Sequence, residues 1–332
     1  MTLLLLQMAI VLLVTVFCGW FARKLGQPRV IGEIIGGILM GPSLFGRFAP
    51  ELHARLFPGS WFRSFEELST IGLILFLFLI GMELDYETLY HQRATALAAS
   101  GMSILFPFIC AASIAHALRI RFAPNGVGSM PFVLFLGISM SITAFPVLAR
   151  ILEERRLQGT SLGTTAILCA AVDDVAAWTL LAVALALLGQ GDGPGSLILR
   201  FGGLLAYLFV MLGIVRPLAA RAVRRQQGVE LSLELLGVVL AGALASAAAT
   251  DAIGIHPLFG AFLSGVCFPR IERWQTAIRA RLDMLVSVLL LPLFFALTGM
   301  RTRFDLLSGG RVWIWAGIIL AAAIIGKMGG SK

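Results

Sequence analysis

The chain has 332 residues, of which 58% are hydrophobic and 13% charged, and its mean hydropathy is +0.92. A soluble domain of this length carries far more charge, so these values predict an all-α, polytopic membrane protein. The net charge of +8 does not indicate a nucleic-acid partner, because basic residues concentrate in the short cytoplasmic loops of membrane proteins.

Eleven apolar runs recur along the chain, and each is a predicted membrane span with ends uncertain by several residues. They are Leu3–Phe21, Val30–Phe45, Thr70–Leu84, Ala94–Leu118, Pro131–Leu152, Thr164–Leu188, Ser196–Val215, Leu231–Ala249, Ile255–Phe268, Met284–Met300 and Val312–Lys327. The first run lacks a basic start and a small-residue cleavage site, so we expect a span and no removable signal peptide. The second, third and ninth are short and are expected to be tilted, broken or extended.

The loops predict the orientation of the chain in the membrane. Loops after odd-numbered spans carry fifteen basic residues, and loops after even-numbered spans carry nine. Basic loops stay in the cytoplasm, so the N-terminus is predicted to lie outside. The Gly/Pro-rich stretch 189–196 is predicted to be a turn between two spans.

The second span carries four glycines, at positions 32, 36, 37 and 41, which let neighbouring helices approach closely. Glu33 lies among them, near the predicted cytoplasmic end. Two interpretations stay open: a residue that reaches the interface or bonds a neighbouring helix, and a residue that acts in gating or ion entry.

The fifth span combines hydroxyl residues with a proline: Ser139, Ser141, Thr143 and Pro146. Proline removes a backbone donor and clashes with the preceding turn. A Pro-kinked packing helix is one interpretation. We favour a helix that is broken at the membrane midplane, because broken helices present carbonyls and helix ends to an ion.

The sixth span contains two adjacent carboxylates, Asp173 and Asp174, in the middle of an apolar run. One acidic residue at this depth costs on the order of 2.5–3.5 kcal/mol on insertion scales, and such residues usually mark ion or proton pathways. Adjacent residues point about 100° apart around a helix. We therefore predict that one carboxylate faces the broken helix and the other faces a basic group elsewhere.

Two further polar residues lie at the edges of spans. His256 precedes the ninth span, and a structural histidine is favoured over a proton relay. Lys327 ends the eleventh span, where a lysine that reaches the interface and a functional partner are equally open.

Five features in this order resemble the monovalent cation:proton antiporter-2 family: the Gly-rich second span, the run 72–83, the Asp173–Asp174 helix, the run 256–265 and the Gly326–Lys327 pair. The family includes bacterial sodium/proton antiporters, Kef-type potassium efflux systems and plant cation/proton exchangers. The resemblance implies an inverted-repeat fold of about thirteen helices, of which the chain would hold eleven. It also implies core-type helices at about 70–188 and 284–332, dimerisation-type helices at about 3–45 and 196–268, and a homodimer.

The resemblance assigns roles to individual residues. Asp174 matches the carboxylate that binds cation and proton in competition, Asp173 matches the acid that pairs with a lysine, and Lys327 matches that lysine. Thr143 and Ser141 match candidate cation ligands. The resemblance implies electrogenic exchange of Na⁺, or alternatively K⁺, for protons. It also implies a protein of the bacterial inner membrane that needs no cofactor.

Two other functions compete with antiport. A Kef-like, ligand-gated potassium efflux system would need a regulatory domain that this sequence lacks. The motif 189–192 matches the GxGD of intramembrane aspartyl proteases, but it lies in a polar turn, and no Tyr-Asp partner occurs in the chain. The sequence therefore favours a transporter and not an enzyme.

Overall fold

The computed structural model describes residues 2–58, 61–84, 86–124, 126–187, 193–224, 231–307 and 309–330, and the regular structure in these ranges is helical. The α-helices are α1 (Thr2–Lys24), α2 (Arg29–Met40), α3 (Phe45–Phe48), α4 (Pro50–Leu56), α5 (Trp61–Glu83), α6 (Tyr86–Phe122), α7 (Ser129–Ser141), α8 (Phe145–Glu154), α9 (Ser161–Leu187), α10 (Gly193–Phe209), α11 (Arg216–Arg224), α12 (Leu233–Ile253), α13 (Pro257–Cys267), α14 (Glu272–Leu285), α15 (Leu291–Met300) and α16 (Gly310–Gly330). Two π-helical segments, Val210–Val215 and Val286–Leu290, join α10 to α11 and α14 to α15, and Phe304–Leu306 forms a 3₁₀ turn.

Ten helical segments in these ranges are long and apolar enough to cross a membrane. All eleven predicted runs fall on helices, and the protein is an integral, multi-pass helical membrane protein. The ninth run corresponds to α13, which has only 11 residues. At 1.5 Å per residue α13 is about 16 Å long, roughly half of the hydrocarbon thickness.

Two predicted boundaries are wrong. Residues 272–283 were expected to be loop, but they form α14, which continues through the π-helical segment into α15. The helix is amphipathic: it buries Trp274, Ile278 and Leu282 at four-residue spacing, and its charged residues mask this pattern in a hydropathy profile. Residues 193–196 of the predicted turn belong to the first turn of α10, whereas residues 188–192, with the GxGD motif, lie outside the described residues.

The helices pack in two groups. We call α6–α9 and α16 the site bundle, and α1, α2, α5 and α12–α15 the framework bundle. Glycines set the closest contacts of the framework bundle, since Gly37 of α2 lies on the backbone of Ala296 and Gly81 of α5 lies on the backbone of Phe262. The close approach predicted for the second span is therefore confirmed.

The predicted division into core-type and dimerisation-type helices stays a prediction, and the packing at two spans bears on where its border lies. The runs 70–84 and 284–300 were assigned to a core-type group with the Asp173–Asp174 helix, but α5 packs mainly on α13, and α15 packs mainly on α2. Their glycines meet the framework bundle, since Gly72 lies against Leu290 and Gly299 lies against the backbone of Ile34. Their apolar residues also share one buried cluster with residues of α8 and α9. Relative movement of two bodies stays a prediction.

Small residues also bring α16 onto α6. Gly326 lies against the backbone of Pro107, and Gly330 lies against the backbone of Met102. A side chain at either position would meet backbone atoms, so this contact fixes the height of α16 along α6. As a result Lys327 enters the site bundle at the level of residue 103.

Candidate ion site

The fifth predicted span is a broken helix, as expected. α7 ends at Ser141, and Ile142 and Ala144 have extended backbone angles (φ −65°, ψ 130° and φ −64°, ψ 100°) before α8 begins at Phe145. Pro146 lies in the first turn of α8, where its fixed φ suits a helix start and its missing N–H costs nothing. The break leaves carbonyls of α7 and N–H groups of α8 without helical partners inside the site bundle.

Asp173 of α9 is buried, with 2% of its surface exposed. Its Oδ1 accepts a hydrogen bond of 2.5 Å from Ser100 of α6, and its Oδ2 accepts hydrogen bonds of 3.3 Å from Ser103 and from Thr143. Thr143 belongs to the break between α7 and α8. Hydroxyl donors from two elements thus surround a buried carboxylate and satisfy both of its oxygens.

Lys327 of α16 completes this cluster. Its Nζ lies 3.7 Å from Oδ2 of Asp173, and it donates hydrogen bonds to Ser103 (2.8 Å) and Thr143 (2.7 Å). The ammonium and the carboxylate therefore share the same two hydroxyls. The predicted basic group facing one of the two carboxylates is present, and the pair leaves this part of the site without net charge.

Asp174 has a different environment. It is partly buried and accepts a hydrogen bond from the backbone N–H of Phe145, the first residue of α8. The start of a helix favours negative charge. Among the described residues, no basic side chain lies within salt-bridge distance of Asp174. The carboxylate thus faces the start of α8 after the break, and the favourable contact that the described residues give it is the backbone N–H of Phe145.

Ser141 and Glu33 lie outside this cluster. The Ser141 hydroxyl donates to the backbone carbonyl of Ile104 (3.0 Å), so the structure does not bring it to either carboxylate. Glu33 is buried on α2, where its Oε1 lies 3.0 Å from Nε of Arg29. Glu33 does not reach the interface; its role in gating stays a prediction.

His256 lies at the start of α13, and its Nδ1 accepts a 3.4 Å hydrogen bond from the backbone N–H of Leu258. Its ring lies 5.1 Å from the ring of Trp178, which is one helical turn beyond Asp174 on α9. The contacts are those of a helix cap that packs on α9, and they agree with the favoured structural interpretation.

The sequence interpretation missed Ser100 and Ser103. Their three-residue spacing places both hydroxyls on one face of α6, inside a run that is otherwise apolar. That spacing was the available signal. Single serines are common in membrane helices, however, and the carboxylate that they bind lies 70 or more residues away in sequence.

Comparisons with known proteins show the family of the chain. Residues 12–331 match the family described as "Sodium/hydrogen exchanger, transmembrane". Cation/H(+) antiporter 17 of Arabidopsis thaliana is 40% identical over 99% of this chain, although the chain spans only 40% of that relative. Na(+)/H(+) antiporter NhaS4 of Synechocystis is 38% identical over 93% of this chain and 76% of that relative.

A solved structure shows the same fold. The sodium proton antiporter MjNhaP1 from Methanocaldococcus jannaschii superposes with a TM-score of 0.58 at 15% identity, covering 99% of this chain and 78% of that chain. The relatives named here are transporters and not enzymes. From the family match and the identity to NhaS4, the chain belongs to the transmembrane sodium/hydrogen exchanger family.

Proposed function

We propose that the protein exchanges a monovalent cation for protons across a membrane, with Asp174 as the group that binds either ion. The observation that carries this proposal is the difference between two neighbouring carboxylates. Asp173 is neutralised by Lys327 and three hydroxyls, whereas Asp174 faces the helix break and has no basic partner among the described residues. Asp174 is therefore the carboxylate that needs an ion.

The exchange follows from the cost of moving charge through a low-dielectric medium. A bare carboxylate is expensive to move across the membrane, whereas a protonated or cation-bound carboxylate is not. Carboxylate, carbonyl and hydroxyl oxygens are the ligands that hard cations prefer. Asp174 and the free carbonyls of the break supply such oxygens. The site crosses with one ion or the other, and this alternation couples the two fluxes.

The Asp173–Lys327 pair adds a second charge-carrying element. If cation binding at Asp174 separates the pair, Lys327 releases a proton, and two protons move for each cation. Transport is then electrogenic. The site bundle is the proposed moving unit, because it contains both carboxylates, Lys327 and the break, and because its helices other than α8 pack mostly on one another.

Sodium is the proposed cation, since the relative NhaS4 is a Na(+)/H(+) antiporter, and potassium is the alternative that the experiment distinguishes. Nothing in the named relatives supports the ligand-gated alternative. The homodimer and the external N-terminus stay predictions.

The test is proton movement in energised everted membrane vesicles that contain the natural gene product. Addition of Na⁺ is expected to collapse the pH gradient, and Asp174→Asn is expected to abolish this response. Asp251→Asn, the same chemical change at an exposed position of α12, is the matched control and is expected to respond normally. A response to K⁺ alone would identify potassium as the substrate. A full response in Asp174→Asn would exclude Asp174 as the ion carrier.

A further inference from the structure

The half-helix α8 connects the ion site with the framework bundle. Its first residue, Phe145, donates the backbone N–H that binds Asp174. The Phe145 side chain is buried, and its ring meets the ring of Phe262 of α13 edge-to-face at a centroid distance of 5.1 Å. One residue therefore contacts the ion-binding carboxylate through its backbone and the framework bundle through its side chain.

The other end of α8 is held by polar contacts. Arg150 is buried, with 8% of its surface exposed, and its Nη1 donates to Glu153 (2.6 Å) and to Ser287 (3.1 Å). Ser287 belongs to the π-helical segment between α14 and α15. Its hydroxyl donates in turn to Asp283 of α14 (3.1 Å). A single guanidinium thus ties α8 to a continuous element of the framework bundle.

Two acidic residues of α8 extend these contacts to other helices. Glu153 accepts a hydrogen bond of 3.2 Å from Arg279 of α14, and Arg279 also pairs with Glu83 at the end of α5. Glu154 accepts hydrogen bonds of 2.8 and 3.0 Å from the backbone N–H of Arg29, at the start of α2. The last turn of α8 is therefore bonded to α2, α5 and α14, directly or through one residue.

These contacts constrain the position of the Phe145 N–H, which is the partner of Asp174. Arg150 lies five residues after Phe145, about 7.5 Å along the helix axis, so a rigid half-helix transmits a shift at one end to the other. A buried guanidinium is costly to leave unpaired, so Arg150, oriented by Glu153 of the same helix, favours the position of α8 in which Ser287 is in reach.

We propose that Arg150 is a positioning residue for the ion site: Glu153 of the same helix orients its guanidinium, and its bond to Ser287 holds α8 so that the Phe145 N–H stays at Asp174. This inference rests on the proposed function. Loss of the bonds leaves both carboxylates and Lys327 in place but lets α8 move, so the cation must order the site as it binds. The cost appears in apparent affinity and not in the maximal rate.

The experiment measures the apparent KM for Na⁺ and the maximal rate in vesicles, for Arg150→Gln and for Arg47→Gln, an arginine exposed on α3. We expect Arg150→Gln to raise the KM about tenfold, the equivalent of one lost charge-assisted hydrogen bond, with less than twofold change in maximal rate. Arg150→Lys is expected to have a KM between those of the wild type and Arg150→Gln. Its ammonium keeps the charge but lacks the planar guanidinium that donates to Glu153 and Ser287 together. Arg47→Gln is expected to match the wild type.

Ser287→Ala removes the acceptor of Arg150 and the donor to Asp283 but keeps the bond between Arg150 and Glu153, and it is the variant to use if Arg150→Gln does not fold. It is expected to raise the KM about threefold, with a smaller effect when combined with Arg150→Lys. An unchanged KM in Ser287→Ala and in the Arg150 variants would overturn the inference, and so would a loss of folded protein and maximal rate at constant KM. Absence of Na⁺-driven proton movement in the wild type would instead refute the proposed function.

Discussion

Substitutions that break the Asp173–Lys327 pair are expected to have large and non-additive effects on stability. At 3.7 Å and an effective dielectric constant of 20, the attraction is about 4.5 kcal/mol, and desolvation of both groups offsets part of it. Removal of one member of a buried pair costs about 3–5 kcal/mol. Because the Lys327 side chain is 28% exposed and Asp173 keeps its bond from Ser100, we expect about 2–3 kcal/mol for Lys327→Gln or Asp173→Asn.

The assay is a double-mutant cycle on purified protein, read from thermal unfolding. Each single variant is expected to lower the Tm by about 5 °C, on a scale of roughly 2–4 °C per kcal/mol. The double variant is expected to be no less stable than either single variant, which corresponds to a coupling energy of about 2 kcal/mol. The surface pair Arg303–Asp305, taken through the same cycle, is expected to show no measurable coupling. Additive losses at Asp173 and Lys327 would refute the reasoning.

Three further outcomes are expected. Gly326→Val is expected to cost about 1–3 kcal/mol of stability and to impair transport, because the new side chain meets the backbone of Pro107 and lifts α16 from α6. Gly317→Val, on an open face of the same helix, is the control. Equal Tm values for the two variants would contradict the packing argument. Burial lowers the pKa of His53 below its ordinary value of about 6.5, so the folded protein binds fewer protons than the unfolded chain and stability falls as the pH drops below about 6.5. When the pH is lowered from about 7.5 to 5.5, the Tm of His53→Gln is expected to fall less than the Tm of the wild type. An equal fall in both proteins would exclude His53 as a source of the pH dependence of stability. Cys267→Ser is expected to destabilise the protein by about 1 kcal/mol without affecting cation affinity, because the thiol is buried between α13 and the π-helical segment at residue 211; a changed KM would contradict this structural role.

Much of the site could be predicted because its determinants are local in sequence. Pro146, with hydroxyls before it, indicated a break, and the break occurs at residues 142–144. The 100° step between adjacent helix positions predicted that Asp173 and Asp174 face different partners. Asp173 pairs with Lys327 and Asp174 lies at the N–H of Phe145, but Asp173 also accepts a hydrogen bond from Thr143 of the break, so the separation is incomplete.

The remainder depends on contacts that no local pattern contains. Ser100 and Ser103 became part of the site only because α6 packs on α9, and the height of α16 depends on Gly326 and Pro107, which lie far apart in sequence. α14 was missed for a different reason: its charged face hid an apolar face of only three buried residues. The grouping of α5 and α15 likewise follows from matching glycine surfaces, which hydropathy does not report.

The central claim is that one carboxylate binds cation and proton in competition, and proton release from the purified natural gene product tests it most directly. Na⁺ added to the protein in weakly buffered solution is expected to release protons from the wild type. Asp174→Asn is expected to release none, and Asp251→Asn is expected to match the wild type. Proton release from Asp174→Asn equal to that of the wild type would contradict the claim.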